Sequence, residues 1–421
     1  MRISYISHGY PPRENAGTEQ HCKLVAEGMK DRGHEVQIIA ATRSYGRRHG
    51  EVINEKSNLH RIVNNFPARH LSQLERDRSL EKPILELVEN FSPDVIHIHH
   101  LQFLSSGLRF PQPTIFTLHD GWTWCAAGGT ELLPDGTVCE GPVPEKCTSC
   151  ASKWAPQPTK AANFLIKTAG LLSPLISSEN LHKIWQKVPQ KIRNPIAQGK
   201  GSQITEPPKF AAKRNQTMKE QVQSFTMCIS PSKYLAQKGE KMGINNIIVI
   251  PHGVDRRQTH SGGNGLVFIG TIAPHKGPDL VQKAYDIAFP SQQIPLHFFG
   301  PVITKPKGLT HKINPPLTRE EVWETLQHAD ALVIGSKWPE NCPMIIIEAK
   351  ATGCPVIAPS IGGIPELISD GVDGFLYHPN DPLDLARAIK KTLQYRHFKV
   401  SPPMSLQQQL DEIEACYHKV L

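Results

Sequence analysis

Two glutamates, Glu340 and Glu348, stand eight positions apart across Lys337-Trp338-Pro339-Glu340-Asn341-Cys342-Pro343-Met344 and the apolar run that follows. A buried-strand pattern, Ala329–Ser336, precedes them. Pro343 suits a first helical position because it has no N–H to leave without a partner, and Gly353 with Cys354-Pro355 marks the stop. The spacing predicts Glu340 in a strand-to-helix loop and Glu348 inside the helix. There a carboxylate can accept hydrogen bonds from sugar or ribose hydroxyls, and the positive end of the helix behind the loop suits a phosphate. Upstream, Gly265–Gly270 is an apolar strand opening into Thr271-Ile272-Ala273-Pro274-His275-Lys276-Gly277. A cation fixed at Lys276 stabilises the charge that grows on a departing diphosphate. Together these residue types fit a nucleotide-sugar ligand.

The elements that must position them follow an α/β rhythm. Arg2–Ser7 predicts a strand, His8–Ala16 a loop, Gly17–Arg32 a helix and Val36–Ala41 a second strand, the order of a parallel sheet. The first turn lacks G-x-G-x-x-G and the second strand ends without the acid that would bind a ribose, which argues against an NAD-linked oxidoreductase. Two further strand-bearing stretches, Pro93–His100 and Pro113–Trp122, carry histidines near their ends; His97 and His99 share a face, and His119 lies at the end of the second strand. A metal held by His97, His99 and His119 is one reading of these imidazoles, and hydrogen-bonded structural histidines are the other.

The series Glu340-x7-Glu348-Ala349-x3-Gly353-x-Pro355-Val356, then Gly362-Gly363-Ile364-Pro365-Glu366-Leu367 and Asp370-Gly371-x2-Gly374, resembles the donor-binding half of retaining glycosyltransferases of family four. The resemblance implies the GT-B fold, two Rossmann-like parallel-sheet α/β domains facing each other across a cleft. By resemblance Glu340 faces the donor sugar, Glu348 holds the nucleotide ribose, and the backbone of Asn341, Cys342, Met344 and Ile345 meets sugar and phosphates. Lys276 follows Gly270 in the diphosphate loop, but Thr271 stands where the family has an arginine, so His275 or a distant arginine must replace that cation or Lys276 acts without it. In the amino-terminal half, Ala16-Gly17 takes the place of the family's glycine pair, with Gly17 at the close backbone approach. His119 matches the histidine that contacts the donor sugar. Pro251-His252-Gly253-Val254-Asp255 is similar to the family's hinge, with His252 in place of asparagine.

The implied organisation is an acceptor-side domain over 1–255 with an insertion at about 121–200, a donor-binding domain over 256–395, and a helical tail, 396–421, returning to the first domain. The implied reaction is metal-independent transfer of a hexose, with retention, from a UDP-, GDP- or ADP-linked donor to a glycan or lipid-linked acceptor. No cofactor is required for it, and no Asp-x-Asp triplet is present to hold a metal diphosphate. The alternatives are a nucleotide-sugar-binding protein without activity and an epimerase or hydrolase on the same fold.

Cys125, Cys139, Cys147 and Cys150 fall in a loop-rich stretch with a terminal C-x2-C. They suit a structural zinc, a set of reduced packing thiols, or disulfides in an oxidising compartment. A chain of 421 residues, 39% hydrophobic, can bury two ordinary cores. No run of eighteen apolar residues and no charged-then-apolar leader is seen, so the expected place is the cytoplasm. The net charge of +8 is concentrated around 151–219, where lysines interleave with apolar runs. That segment is either a solvated helical insertion or a face for peripheral contact with anionic lipid. With no recognised nucleic-acid module, nucleic acid is not expected as a partner.

Overall fold

The computed structural model describes residues 1–44, 47–65, 76–133, 135–143, 146–150, 210–257, 260–291, 294–395 and 398–421. Most of the basic stretch 151–219 lies outside them. The chain divides into two compact units: Met1–Ser230 with Gln237–Ile248 and Ile413–Leu421, and Pro231–Ala236 with Val249–Glu412. The main division thus falls a few residues before Asp255, and the last turns of the tail helix group with the first unit.

The first unit is built on β1 (Arg2–Ser7), β2 (Glu35–Thr42), β3 (Val52–Glu55), β4 (Leu59–Val63), β5 (Val95–Ile98), β6 (Thr114–Thr117), β7 (Met227–Ser230) and β8 (Ile247–Val249). Their order is β3-β4-β2-β1-β5-β6-β7-β8, with β3 antiparallel to β4 at one edge. β1 pairs in parallel with β2 on one side and β5 on the other, in register Ile3↔Val36 and Ile3↔Val95. Strands covered on both faces need apolar side chains both ways, which is why β1 is a nearly continuous buried run rather than an alternating one. The helix Gly17–Asp31 follows β1; Glu19 reaches back to the amide of Ala16 at 3.1 Å and caps it. Arg61 on β4, fully buried, holds the loop before that helix by donating to the carbonyls of Tyr10 at 3.0 Å and Pro11 at 3.1 Å and to Glu14 at 2.8 Å.

The second unit holds β9 (Leu266–Ile269), β10 (Leu296–Phe299), β11 (Ile313–Asn314), β12 (Ala331–Val333), β13 (Val356–Pro359) and β14 (Gly374–Tyr377). The order is β11-β10-β9-β12-β13-β14, and every pairing is parallel. One face packs Leu266, Phe268, Ala331, Val333 and Ile357 against the helices Pro278–Ala288 and Pro382–Gln394; the other packs Val267, Leu332, Val356 and Ala358 against Leu326, Ile346 and Ala349. In each sheet successive crossovers run to opposite sides of one strand, β1 or β9, and the crevice beside that strand is where open α/β sheets take ligands.

Candidate functional site

In the second unit the loops leaving β9 and β12 meet. The first forms a short turn, Pro274–Lys276, closed by Gly277 with φ at +63°. A Cβ there would lie 1.9 Å from the carbonyl oxygen of Gly335, so only glycine lets the two loops touch. The amide of Lys337 then donates to the carbonyl of His275 at 2.8 Å. This backbone contact sets Lys276 Nζ 2.9 Å from Glu340 Oε1, which also accepts from the Ser336 hydroxyl. Glu340 is 9% exposed. Burial pushes its carboxyl up, but the Lys276 charge and the Ser336 hydrogen bond outweigh that and hold it below the usual carboxylate range. The site therefore presents an ionised, shielded carboxylate with its cation, the latter 5.0 Å from the centre of the Trp338 ring.

His275 does not supply the second cation. Burial and then the neighbouring Lys276 charge push its imidazole down to about 4, so it is neutral near pH 7, edge-on to Trp338. The neighbouring cation is Lys337, which the sequence reading left without a role: its ammonium lies 2.7 Å from Asp279 and its stem beside Gly277. Its position directly after the β12 pattern was the available signal. Thr271, half-buried, stands at the end of β9.

Pro343 is one residue off its expected place. With ψ at 116° it is the cap before the helix Met344–Thr352, and Gly353 ends that helix with φ at 84°, as the sequence indicated. The first intrahelical bond runs from Ile346 to the Pro343 carbonyl at 3.0 Å, so the amides of Met344 and Ile345 lie ahead of the ladder and face the loop. Burial pushes the Cys342 thiol up to about 12, which leaves its backbone as the useful group. Asn341 accepts from the Ser232 hydroxyl. The glycine pair further on packs on this loop: the Gly363 amide donates to the Glu340 carbonyl at 2.7 Å, and a Cβ on Gly362, where φ is +64°, would sit 2.2 Å from that oxygen. Gly362→Ala is expected to cost about 1–3 kcal/mol of stability in backbone strain and to displace Glu340. A thermal melt paired with a nucleotide-binding assay checks both effects.

Glu348 lies half-buried on the same helix. Burial raises its carboxyl to about 7, with Arg319 pulling only part of the way back. Its ionised form can accept hydrogen bonds from hydroxyl groups.

The first unit brings His8, His97, His99, His100 and His119 to the carboxyl ends of β1, β5 and β6. His8 pairs with Glu19 at 3.1 Å and His100 with Asp120 at 3.4 Å. His97 is a structural residue: its Nδ1 meets the Tyr417 hydroxyl at 2.6 Å, its Nε2 meets Thr117 Oγ1 at 2.8 Å, and burial pushes it down to about 3. His99 and half-buried His119 face each other, Nδ1 to Nε2, at 3.2 Å. Gly17 is exposed at the start of its helix. Cys125, Cys139, Cys147 and Cys150 are not joined in disulfides among the described residues. Burial pushes Cys147 up to about 11, and the other three thiols, close enough to act on it, add to that. Their loop has more apolar anchorage than its composition suggested: Trp122, Trp124, Ala126 and Leu132 are buried, and Glu131 takes Trp124 Nε1 at 3.0 Å and Lys238 at 2.7 Å.

Residues 255–401 match the family described as Glycosyl transferases group 1, and residues 16–134 match Glycosyltransferase Family 4. Among curated proteins the chain is similar to a D-inositol 3-phosphate glycosyltransferase of Streptomyces griseus, 32% identical over 143 residues, which are 29% of this chain and 30% of that one. A protein of the same description from Mycolicibacterium vanbaalenii is 29% identical over 151 residues, covering 30% and 33%. The matched stretch spans about a third of these relatives' length. Among solved structures, Anabaena HepE in complex with UDP and glucose aligns over 99% of both chains with TM-score 0.61 and 14% identity. Sucrose-phosphate synthase from Thermosynechococcus elongatus aligns over 100% of this chain and 98% of its own, with TM-score 0.60 and 12% identity. The catalytic domain of Arabidopsis thaliana starch synthase IV, bound to ADP and acarbose, gives 100%, 99%, 0.57 and 14%. These likenesses bear out the expected GT-B fold.

Proposed function

We propose, from the premise that this chain belongs to the family-four glycosyltransferases, that it moves a hexose from a nucleoside-diphosphate donor to an acceptor hydroxyl with retention at the anomeric carbon. The observation that carries this is the Lys276–Glu340 pair, fixed at the switch point of the second sheet with a helix start and Glu348 beside it. In this reading the bond from the anomeric carbon to the phosphate oxygen breaks while the bond to the acceptor oxygen forms on the same face. The departing phosphate oxygen takes the acceptor proton. Lys276 and the amides of Met344 and Ile345 stabilise the diphosphate charge, Glu340 orients the sugar, and no side-chain nucleophile or metal is needed. In the first unit, His119 and Gly17 are the residues to which the family resemblance gives sugar contact.

The neighbours solved with UDP and with ADP support those bases for a donor screen, with GDP beside them. Thermal stabilisation by one diphosphate, followed by transfer to glycan and lipid-linked acceptors, tests the reading, since a ligand that binds only the folded state raises its stability. Glu340→Ala should lower turnover more than nucleotide affinity. Thr271 and the neutral His275 favour a second reading, a nucleotide-sugar-binding protein that does not transfer; binding without turnover across the panel would establish it.

We place the enzyme in a reducing compartment, the cytoplasm, a reading supported by cysteines that are not joined in disulfides among the described residues. Among the same residues no helix is long and apolar enough to cross a membrane. A lipid-linked acceptor would be met through the basic stretch around 151–219, and flotation with anionic vesicles checks that. We further propose that Cys125, Cys139, Cys147 and Cys150 close on a structural zinc. Purified protein is then expected to carry about one metal per chain there, with Cys147→Ser/Cys150→Ser reproducing the effect of a chelator on the loop. Metal-free protein with four alkylatable thiols and an ordered loop would refute it.

A further inference from the structure

The tightest gathering of metal-ligating side chains among the described residues is not the cysteine loop. It is His21, His99 and His119, whose ligand atoms all lie within 4.8 Å of one another. His21 comes from the helix Gly17–Asp31, His99 from the end of β5 and His119 from the end of β6. Their ring centres form a nearly equilateral triangle, 5.4 Å from His21 to His99, 5.3 Å from His21 to His119 and 5.4 Å from His99 to His119. We propose that these three imidazoles form a binding site for a divalent transition-metal ion of the zinc class.

Zinc bonds imidazole nitrogen at about 2.0–2.1 Å in tetrahedral geometry, which sets ligand nitrogens roughly 3.3 Å apart. The His99–His119 pair, at 3.2 Å, has that separation, and His21 offers its ligand atom within 4.8 Å of both. The surroundings hold the ligands in place. His97 stacks on His99 with centres 4.4 Å apart, and the His99 amide is tied to the Ile6 carbonyl at 2.7 Å. The nearby carboxylates are committed elsewhere, Glu19 to His8 and Asp120 to His100. An all-imidazole set selects zinc, copper or nickel over magnesium or calcium, and three protein ligands leave a fourth position for water or a substrate oxygen. Metal on His119 would also withdraw that nitrogen from a donor sugar; this consequence, unlike the binding itself, rests on the role proposed for His119 above.

The test uses the whole chain, stripped with chelator and titrated with Zn2+ against a chromophoric competitor. One equivalent should disappear in His21→Gln and persist in Cys147→Ser/Cys150→Ser. Co2+ at the same site should give a visible band without the sulfur-to-metal charge-transfer band of a thiolate site. If His21→Gln does not fold, His119→Gln gives the same readout at a more exposed position. Stoichiometry unchanged in the histidine variants, or lost only with the cysteines, would overturn the proposal. Where transfer is measurable, Zn2+ should inhibit wild type and spare His21→Gln; absence of transfer leaves the binding result standing.

Discussion

Lys276→Ala is expected to lower turnover at saturating donor by on the order of 10²–10³, the scale seen on removing one preorganised charge-stabilising donor. The size follows from where the ammonium sits. Its side chain is 25% exposed and that of its partner Glu340 10%, so water screens the pair weakly, and in the proposed role the ammonium would act on a departing diphosphate through little solvent. With His275 neutral, the imidazole next to it offers no substitute. The substitution has a second effect, because Lys276 is the largest influence holding the Glu340 carboxyl down against burial. In wild type that depressed group stabilises the fold above its unfolded value near 4.3, and the stability is lost as pH falls through its lower folded value. In Lys276→Ala most of that advantage disappears, and a buried carboxylate keeps its hydrogen bond to Ser336 and the Trp338 side chain beside it but loses its cation. Melts across pH separate this cost from catalysis, and Lys276→Ala/Glu340→Gln should recover stability without recovering turnover. Full turnover in a folded Lys276→Ala would place the diphosphate elsewhere.

What the sequence disclosed and what it concealed divide along physical lines. Arg2–Ser7 was legible because Ile3, Tyr5 and Ile6 form a short β-prone stretch ahead of the proline-bearing loop that opens at His8. β12 was expected over Ala329–Ser336 and spans Ala331–Val333. The apolar pattern continues past Val333, but Gly335 is drawn onto Gly277, a tertiary contact that no local pattern encodes. Pro343 was placed inside the helix because it has no N–H to leave without a partner there, while its role as cap is set by ψ, which proline leaves open. Glu340, Lys276 and Glu348 could be found because they are punctuated by glycines and prolines with steric reasons to be there. His21 could not: it occupies an inward position of an amphipathic helix, and only the pairing of β5 beside β1 brings it to His99 and His119. The glycine pair Gly362-Gly363 was legible as a motif, but its purpose, carrying the Glu340 and Asn341 backbone, appeared only with the close approaches at those carbonyls.

Glu348→Gln should change binding and stability in opposite directions, which distinguishes a ligand-binding carboxylate from a structural one. In the free protein burial raises this carboxyl to about 7, so near neutral pH it is half ionised with little to compensate the charge. A group whose folded value is raised favours the fold while protonated, and that contribution is lost as pH rises through about 7. Glutamine removes the penalty, so the variant without ligand should melt higher than wild type at pH 8 and close to it at pH 5. In the proposed ribose role binding runs the other way, because an ionised carboxylate would accept hydrogen bonds from ribose hydroxyls more strongly than glutamine does. Loss of these charge-assisted contacts should cost about 1–3 kcal/mol, roughly 5- to 150-fold in nucleoside-diphosphate affinity at pH 8. Wild-type affinity should also fall as pH drops below about 7, where binding must first release the proton from Glu348. Glu348→Gln should lack that step, and its profile subtracts the titration of the phosphate itself. A variant that binds nucleotide as tightly as wild type, with the same pH profile, would remove Glu348 from the ribose site.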